Sequence, residues 1–123
     1  MSRKIKVEVG DVVLAGELSD TQCAKAVYNL LPLEKEYETW GDEFYFTINL
    51  NMELDETAST EVEVGTIGYW PPGRAIAIFF GPTPNSSSEK PVAASKVNVI
   101  GELKDAESLK KVKEIGEIKI VKR

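Results

Sequence analysis

Histidine is absent from this 123-residue chain, and cysteine occurs once, at Cys23. Without an imidazole, most nucleophilic triads and the commonest protein metal ligand are excluded. A lone thiol excludes an internal disulfide and a multi-thiolate zinc site, and it fits a reducing compartment. No Walker loop and no G-x-G-x-x-G fingerprint occurs, so the glycine-built phosphate cradles are missing. The acidic run Glu53-Leu54-Asp55-Glu56 lacks the glycine and ligand spacing of a calcium loop. No metal and no cofactor are therefore expected. There is also no apolar run long enough for a signal peptide or a membrane span. The expectation is a soluble, cytoplasmic protein.

Basic stripes are missing too. Fifteen Lys and Arg stand against 20 Asp and Glu, a net charge of -5, which repels phosphate backbones. The lysines of 104–123 are interleaved with glutamate and apolar residues and read as a solvated edge. Neither nucleic acid nor an anionic membrane is an expected partner. What the chain does contain is ordinary for a globular protein, 42% hydrophobic and 28% charged residues. Its length fits one domain, 1–123. Such a domain buries roughly two-thirds of the surface its unfolded chain exposes, and needs no disulfide or metal to hold together.

The periodicity is mostly that of strands. Ile5, Val7 and Val9 alternate with Lys4, Lys6 and Glu8, and Gly10-Asp11 reverses the chain into a second strand over Val12 to Ala15. Ser19, with Gln22 three residues on, has capping-box spacing for a helix. Its apolar face is Cys23, Val27, Leu30 and Leu31, and Pro32 stops it. Thr39-Trp40-Gly41-Asp42-Glu43 reads as a turn before a strand from Phe44 to Leu50. Residues 51–60 lack periodicity and read as a loop, and Glu61 to Gly65 as a short strand. Pro71-Pro72-Gly73 predicts a type II turn, and the Trp70-Pro71 bond is free to be cis. After it, Ala75, Ala77 and Phe79 face one way and Ile76, Ile78 and Phe80 the other, as in a strand buried on both sides. Residues 81–95 are rich in Pro and Ser and read as a long loop. A strand over Val97 to Leu103 follows, then a helix capped by Asp105 and ended by Gly116, then a last strand through Ile118, Ile120 and Val121. The sum is about seven or eight strands and two helices, which suggests a closed barrel with a helix at each end.

Three segments carry a resemblance. Trp40-Gly41-Asp42-Glu43-Phe44-Tyr45-Phe46, the long motif from Gly68 to Gly81, and Val97 to Leu103 resemble the signatures of the small prokaryotic cyclophilin-like proteins. These are single-domain barrels without an established activity. The resemblance implies a mainly β fold: a closed cyclophilin-like barrel of about eight strands, capped by two helices. More distantly, Phe79-Phe80 and the closing strand-helix segment are similar to the cyclophilin prolyl isomerases. Aligning the phenylalanine pairs places Gly68, Tyr69 and Trp70 where cyclophilins hold the substrate backbone. Phe80 becomes the aromatic floor of a proline pocket. The isomerase arginine belongs to a Phe-His-Arg triplet whose nearest counterpart here is Phe44-Tyr45-Phe46, without a guanidinium. The isomerase glutamine falls on Ile78, and its histidine has no counterpart. Ordinary cyclophilin catalysis is therefore not implied.

The candidate ligand-binding set is Trp40, Glu43, Tyr45, Tyr69, Trp70, Arg74 and Phe80. Aromatic side chains at a loop mouth offer a ligand large apolar faces with polar tips. Glu43 and Arg74 would orient it if they face one cavity, or they would pair with each other. Cys23, on the apolar helix face, reads as a small core hydrophobe. The expected function is binding of a small molecule or an extended peptide in an aromatic cleft. The alternatives are a weak or atypical prolyl isomerase, and, by fold analogy alone, an accessory domain or subunit of an amidohydrolase-type assembly.

Overall fold

The alternation of the first residues builds β1 (Arg3–Val9) and β2 (Val12–Leu18) in the computed structural model, which describes residues 2–123. Gly10 takes φ +57°, the left-handed conformation that a two-residue hairpin turn requires, and Ile5, Val7 and Val9 are buried as their spacing predicts. Eight further strands follow among the described residues: β3 (Leu33–Glu36), β4 (Glu38–Thr39), β5 (Glu43–Thr47), β6 (Ser59–Glu61), β7 (Thr66–Trp70), β8 (Ala75–Phe79), β9 (Val92–Leu103) and β10 (Glu117–Lys122). All pair antiparallel. The ladder runs β3-β10-β1-β2-β9-β7-β8-β5-β4, with β6 added to β9.

That path corrects the expected closed barrel, because its end strands β3 and β4 do not pair with each other. They are consecutive in the chain, separated only by Tyr37. The sheet is thus curled until its two ends meet head to tail in one extended segment. β3 pairs with β10, and β4 with β5. Between them, Tyr37 turns its side chain inward while its N–H donates to the Gly116 carbonyl. Its ring stacks on Phe44 at 3.9 Å between centroids. Its hydroxyl lies 2.9 Å and 3.0 Å from the Val112 and Lys113 carbonyls, and it accepts a hydrogen bond from the Gly116 N–H.

Two other expectations are corrected in detail. The first helix, α1 (Gln22–Tyr28), is capped by Thr21, whose hydroxyl accepts from the Ala24 N–H at 3.1 Å. Ser19 instead extends the β2 edge, its N–H donating to the Ile100 carbonyl. The second predicted helix is a 3₁₀ segment, Ala106–Ile115, kinked at Val112, and Asp105 precedes it at φ +57° without a side-chain cap. Gly116 ends it at φ +85° as expected. No described helix is long and apolar enough to cross a membrane.

The sheet has two apolar faces of unequal size. The main core lies on the inner face, where Phe44, Phe46, Ile76, Ile78, Phe80 and Tyr69 meet the β1, β2 and β10 side chains beneath α1 and the 3₁₀ segment. The opposite face of β7, β8 and β9 carries a smaller cluster of Val62, Ala77, Phe79, Ala93 and Val97, with Tyr45 and Trp70 packed against it. The two-sided alternation of Ala75 to Phe80 is therefore real, and it divides the large core from this small one.

Candidate functional site

A turn sets the geometry of the small face. Between β4 and β5, the Trp40 N–H donates to the Glu43 carbonyl at 3.0 Å, and Gly41 adopts φ +63°. A β-carbon on Gly41 would lie 2.9 Å from the backbone of Thr83, so glycine is needed for space as well as for φ. Asp42 fastens the turn. Its N–H donates to Pro82, its carbonyl accepts from Phe80, and its carboxylate pairs with Lys113 at 2.9 Å and Lys110 at 3.8 Å. Glu43 then begins β5 directly opposite Phe79 of β8, and Tyr45 lies opposite Ala77. Alternation sends Phe44 and Phe46 to the main core and leaves Glu43 and Tyr45 on the small face.

Trp70 closes the other side. Its indole N–H donates to the Ser95 hydroxyl at 2.7 Å. A β-carbon on Gly73 would come within 2.7 Å of the Trp70 ring, so Gly73 serves to admit the ring. The predicted type II turn is instead a 3₁₀ turn over Pro71–Gly73, and the positive φ falls on Arg74, at +46°. The Trp70–Pro71 bond is trans; the cis bond is Leu31–Pro32. Gly68 lets Val97 of β9 settle on the sheet, since a β-carbon there would stand 2.9 Å from the valine Cγ2.

The result is a pocket of about 190 Å³. Trp40, Tyr45, Trp70 and Phe79 supply aromatic walls, and Ala93, Ala94 and Val97 of β9 complete it with small aliphatic groups. Glu43 is the one charged residue lining it. It is only 8% exposed, and its Oε1 is buried without a hydrogen-bond partner. Burial raises its carboxyl from the ordinary 4.5 to about 7. No described lysine or arginine makes an ion pair with it; the nearest acid in sequence, Asp42, takes Lys110 and Lys113 as its own partners.

Four of the seven sequence-derived candidates, Trp40, Glu43, Tyr45 and Trp70, meet in this pocket, and the other three lie elsewhere. Tyr69 is wholly buried in the main core. Its hydroxyl donates to the Leu50 carbonyl at 2.6 Å and accepts from the Met52 N–H, which ties down the following loop. Phe80 is also in the main core, its ring 4.6 Å from that of Phe44, so the aromatic floor of the pocket is its neighbour Phe79. Arg74 is exposed and precedes Ala75, which pairs with Thr47. Arg74 itself lies opposite Ile48, whose N–H donates to its carbonyl, five residues along from Glu43, or about 17 Å at the usual rise. Glu43 and Arg74 neither pair nor share a cavity. Phe79 was signalled by its alternation with Ala77. Ala93 and Ala94 carried no signal, because they begin a strand inside a stretch whose composition reads as loop.

Among the described residues, no three His, Cys, Asp or Glu side chains gather so as to hold a metal ion. Cys23 is buried in the main core, and desolvation raises its thiol above the ordinary range, the state of an inert thiol.

A family model described as cyclophilin-like matches residues 3–121. The chain is similar to the solution structure of the hypothetical protein AF2241 from Archaeoglobus fulgidus. The two are 32% identical, the match covers 99% of this chain and 95% of that one, and the TM-score is 0.79. No curated protein matches the chain.

Proposed function

The chain belongs to the cyclophilin-like family, and from that premise we propose that it is a binding module whose ligand sits in the pocket between Trp40, Tyr45, Trp70 and Phe79. One observation carries the reading: a buried carboxyl without a protein partner faces a concavity walled by four aromatic rings. Leaving a buried polar group unpaired costs about 1–3 kcal/mol. A fold that needed only packing at this position would be more stable with an apolar residue. The size of the pocket bears on the ligand. Pockets for drug-sized molecules run from about 300 to 1,000 Å³, so 190 Å³ suits a small molecule or one side chain of an extended peptide. Prolyl isomerisation has less support, because Arg74, the nearest substitute for the isomerase arginine, lies about 17 Å along the strand. We propose in the same terms that residues 1–123 act as one cytoplasmic domain without a cofactor, engaging neither nucleic acid nor membrane. The net charge of -5 supports the last point.

Ala94 gives a clean test. It lines the pocket yet is exposed, so Ala94→Trp fills the mouth without disturbing the core. In a thermal-shift screen of metabolites and short peptides, a specific ligand at a hundred times its Kd should stabilise the wild type by about 2.7 kcal/mol. Ala94→Trp should abolish that shift. A shift that survives the substitution unchanged would assign the ligand to another surface and remove this reading.

A further inference from the structure

We propose that the group received by this pocket is a small organic cation, an alkylated ammonium, held between the Glu43 carboxylate and the aromatic walls. The proposal rests on the binding reading above and names its ligand chemistry. Three observations converge on it.

The first is the missing counter-charge. Glu43 is more than nine-tenths buried, its Oε1 has no partner, and no described cation of the protein reaches it. A cation brought by the ligand would supply what the chain does not. The second is the wall chemistry. Trp40, Tyr45 and Trp70 line the pocket above the buried Phe79, and a cation within about 6 Å of an aromatic face gains about 0.5–2 kcal/mol, more as water is excluded. Trp70 spends its only donor on Ser95, so what it offers the pocket is its ring. The third is the scarcity of acceptors. A primary ammonium carries three N–H donors that each need an acceptor. Among side chains, the lining offers only the Glu43 carboxyl and the Tyr45 hydroxyl as strong acceptors, amid small aliphatic and aromatic groups. Alkylation removes those donors and adds methyl groups that suit the rings and the alanines.

The pH behaviour follows from the same groups. The side chains around Glu43 come from the β4–β5 turn (Trp40), β5 (Tyr45), β7 (Trp70), β8 (Phe79) and β9 (Ala93, Ala94, Val97), and Tyr45 is the only other titratable one. Asp42, next in sequence, is occupied by Lys110 and Lys113. A cation binds the ionised carboxyl, so its affinity must rise with pH through the Glu43 titration. A ligand carbonyl would instead take a hydrogen bond from the protonated acid, and its affinity would fall over the same range.

The experiment compares choline with its neutral carbon isostere, in which a quaternary carbon replaces the nitrogen, by calorimetry and by NMR shifts of the two indole N–H groups. At pH 8 choline should bind about tenfold tighter than the isostere. Its affinity should rise about tenfold from pH 6 to pH 8, following the ionised fraction of a group near 7. Glu43→Gln, which keeps shape and removes charge, should cut the choline preference to about threefold or less. Equal or tighter binding of the isostere, or an affinity that falls as pH rises, would overturn the cation and leave the pocket as a site for a neutral ligand. Failure of both probes to shift either indole would overturn the cation, whereas the binding reading is decided separately by whether Ala94→Trp abolishes a ligand's thermal shift.

Discussion

Glu43→Gln should stabilise the protein by roughly 3 kcal/mol more at pH 8 than at pH 4. In the unfolded chain this carboxyl titrates near the ordinary 4.5, and in the folded chain burial holds it at about 7. Between those values the native state still binds a proton that the unfolded state has released. Stability therefore falls as pH rises from 4.5 to 7, and it stays low above 7. Below 4.5 both states are protonated and the group contributes no pH dependence. Glutamine has the same shape and never ionises, so it removes the loss without creating a cavity. Urea denaturation of both proteins at the two pH values measures the effect. The difference between them cancels other titrations, such as that of Asp20, which its bond to Arg3 holds below the usual carboxylate range. A variant that is equally stable relative to wild type at both pH values would show that the native carboxyl is solvated.

Gly101→Ala should cost roughly 3 kcal/mol, although it adds a single methyl group. The reason lies in the seam of the sheet. The strands β3, β10, β1 and β2 join the rest of the ladder only through β2 and β9, across three residue pairs: Gly16 with Leu103, Glu17 with Glu102, and Leu18 with Gly101. A β-carbon on Gly101 would stand 2.2 Å from the Glu17 carbonyl oxygen and 3.0 Å from the Leu18 Cα. These are backbone atoms and cannot step aside by a rotamer change. The seam itself must open, and nothing else in the ladder bridges the two halves. Gly116→Ala is the informative control. Its β-carbon meets nothing within 4 Å, so only the strain of φ +85° is felt, which costs about 1 kcal/mol. Chemical denaturation should separate the two variants clearly. Equal losses would mean that the seam is more compliant than its packing implies.

The sequence made the strands legible wherever one face of a strand meets water and the other meets apolar groups, as in β1, β2 and β10. It also made the two-sided character of Ala75 to Phe80 legible. Which of those faces would be core and which would be a pocket wall depends on the pairing of Glu43 with Phe79, a contact across 36 residues that no local pattern encodes. That is why Phe80 read as the pocket floor, when the neighbour on the opposite face holds that place. Arg74 misled for a similar reason. Its position beside Trp70 in sequence suggested a shared cavity, yet alternation and the 3₁₀ turn send the two apart. The closed barrel was an inference from strand count. Where the two end strands meet, the Tyr37 side chain reaches the end of the 3₁₀ segment, a tertiary contact written in no periodicity. The first half of β9 was hidden for a compositional reason, since Val92 to Lys96 continue from a Pro- and Ser-rich stretch that carries the alanines lining the pocket. What survived from sequence to site was the Trp40 to Tyr45 segment, where a glycine turn and strict alternation place the aromatic and acidic side chains together.

The resemblance to prolyl isomerases has a physical limit in the same residues. The family is cyclophilin-like, but the pocket holds an acid among aromatic residues, and the nearest arginine is exposed at the far end of the strand. The proposed ligand is accordingly one that brings positive charge to Glu43.

The most direct measurement is the titration of the Glu43 side-chain carboxyl carbon by NMR in the ligand-free protein. A midpoint of about 7 is the expected result for a buried carboxyl that no protein group satisfies. A midpoint near 4.5 would contradict the account, because the carboxyl would then be solvated or already paired, with nothing left to offer a ligand.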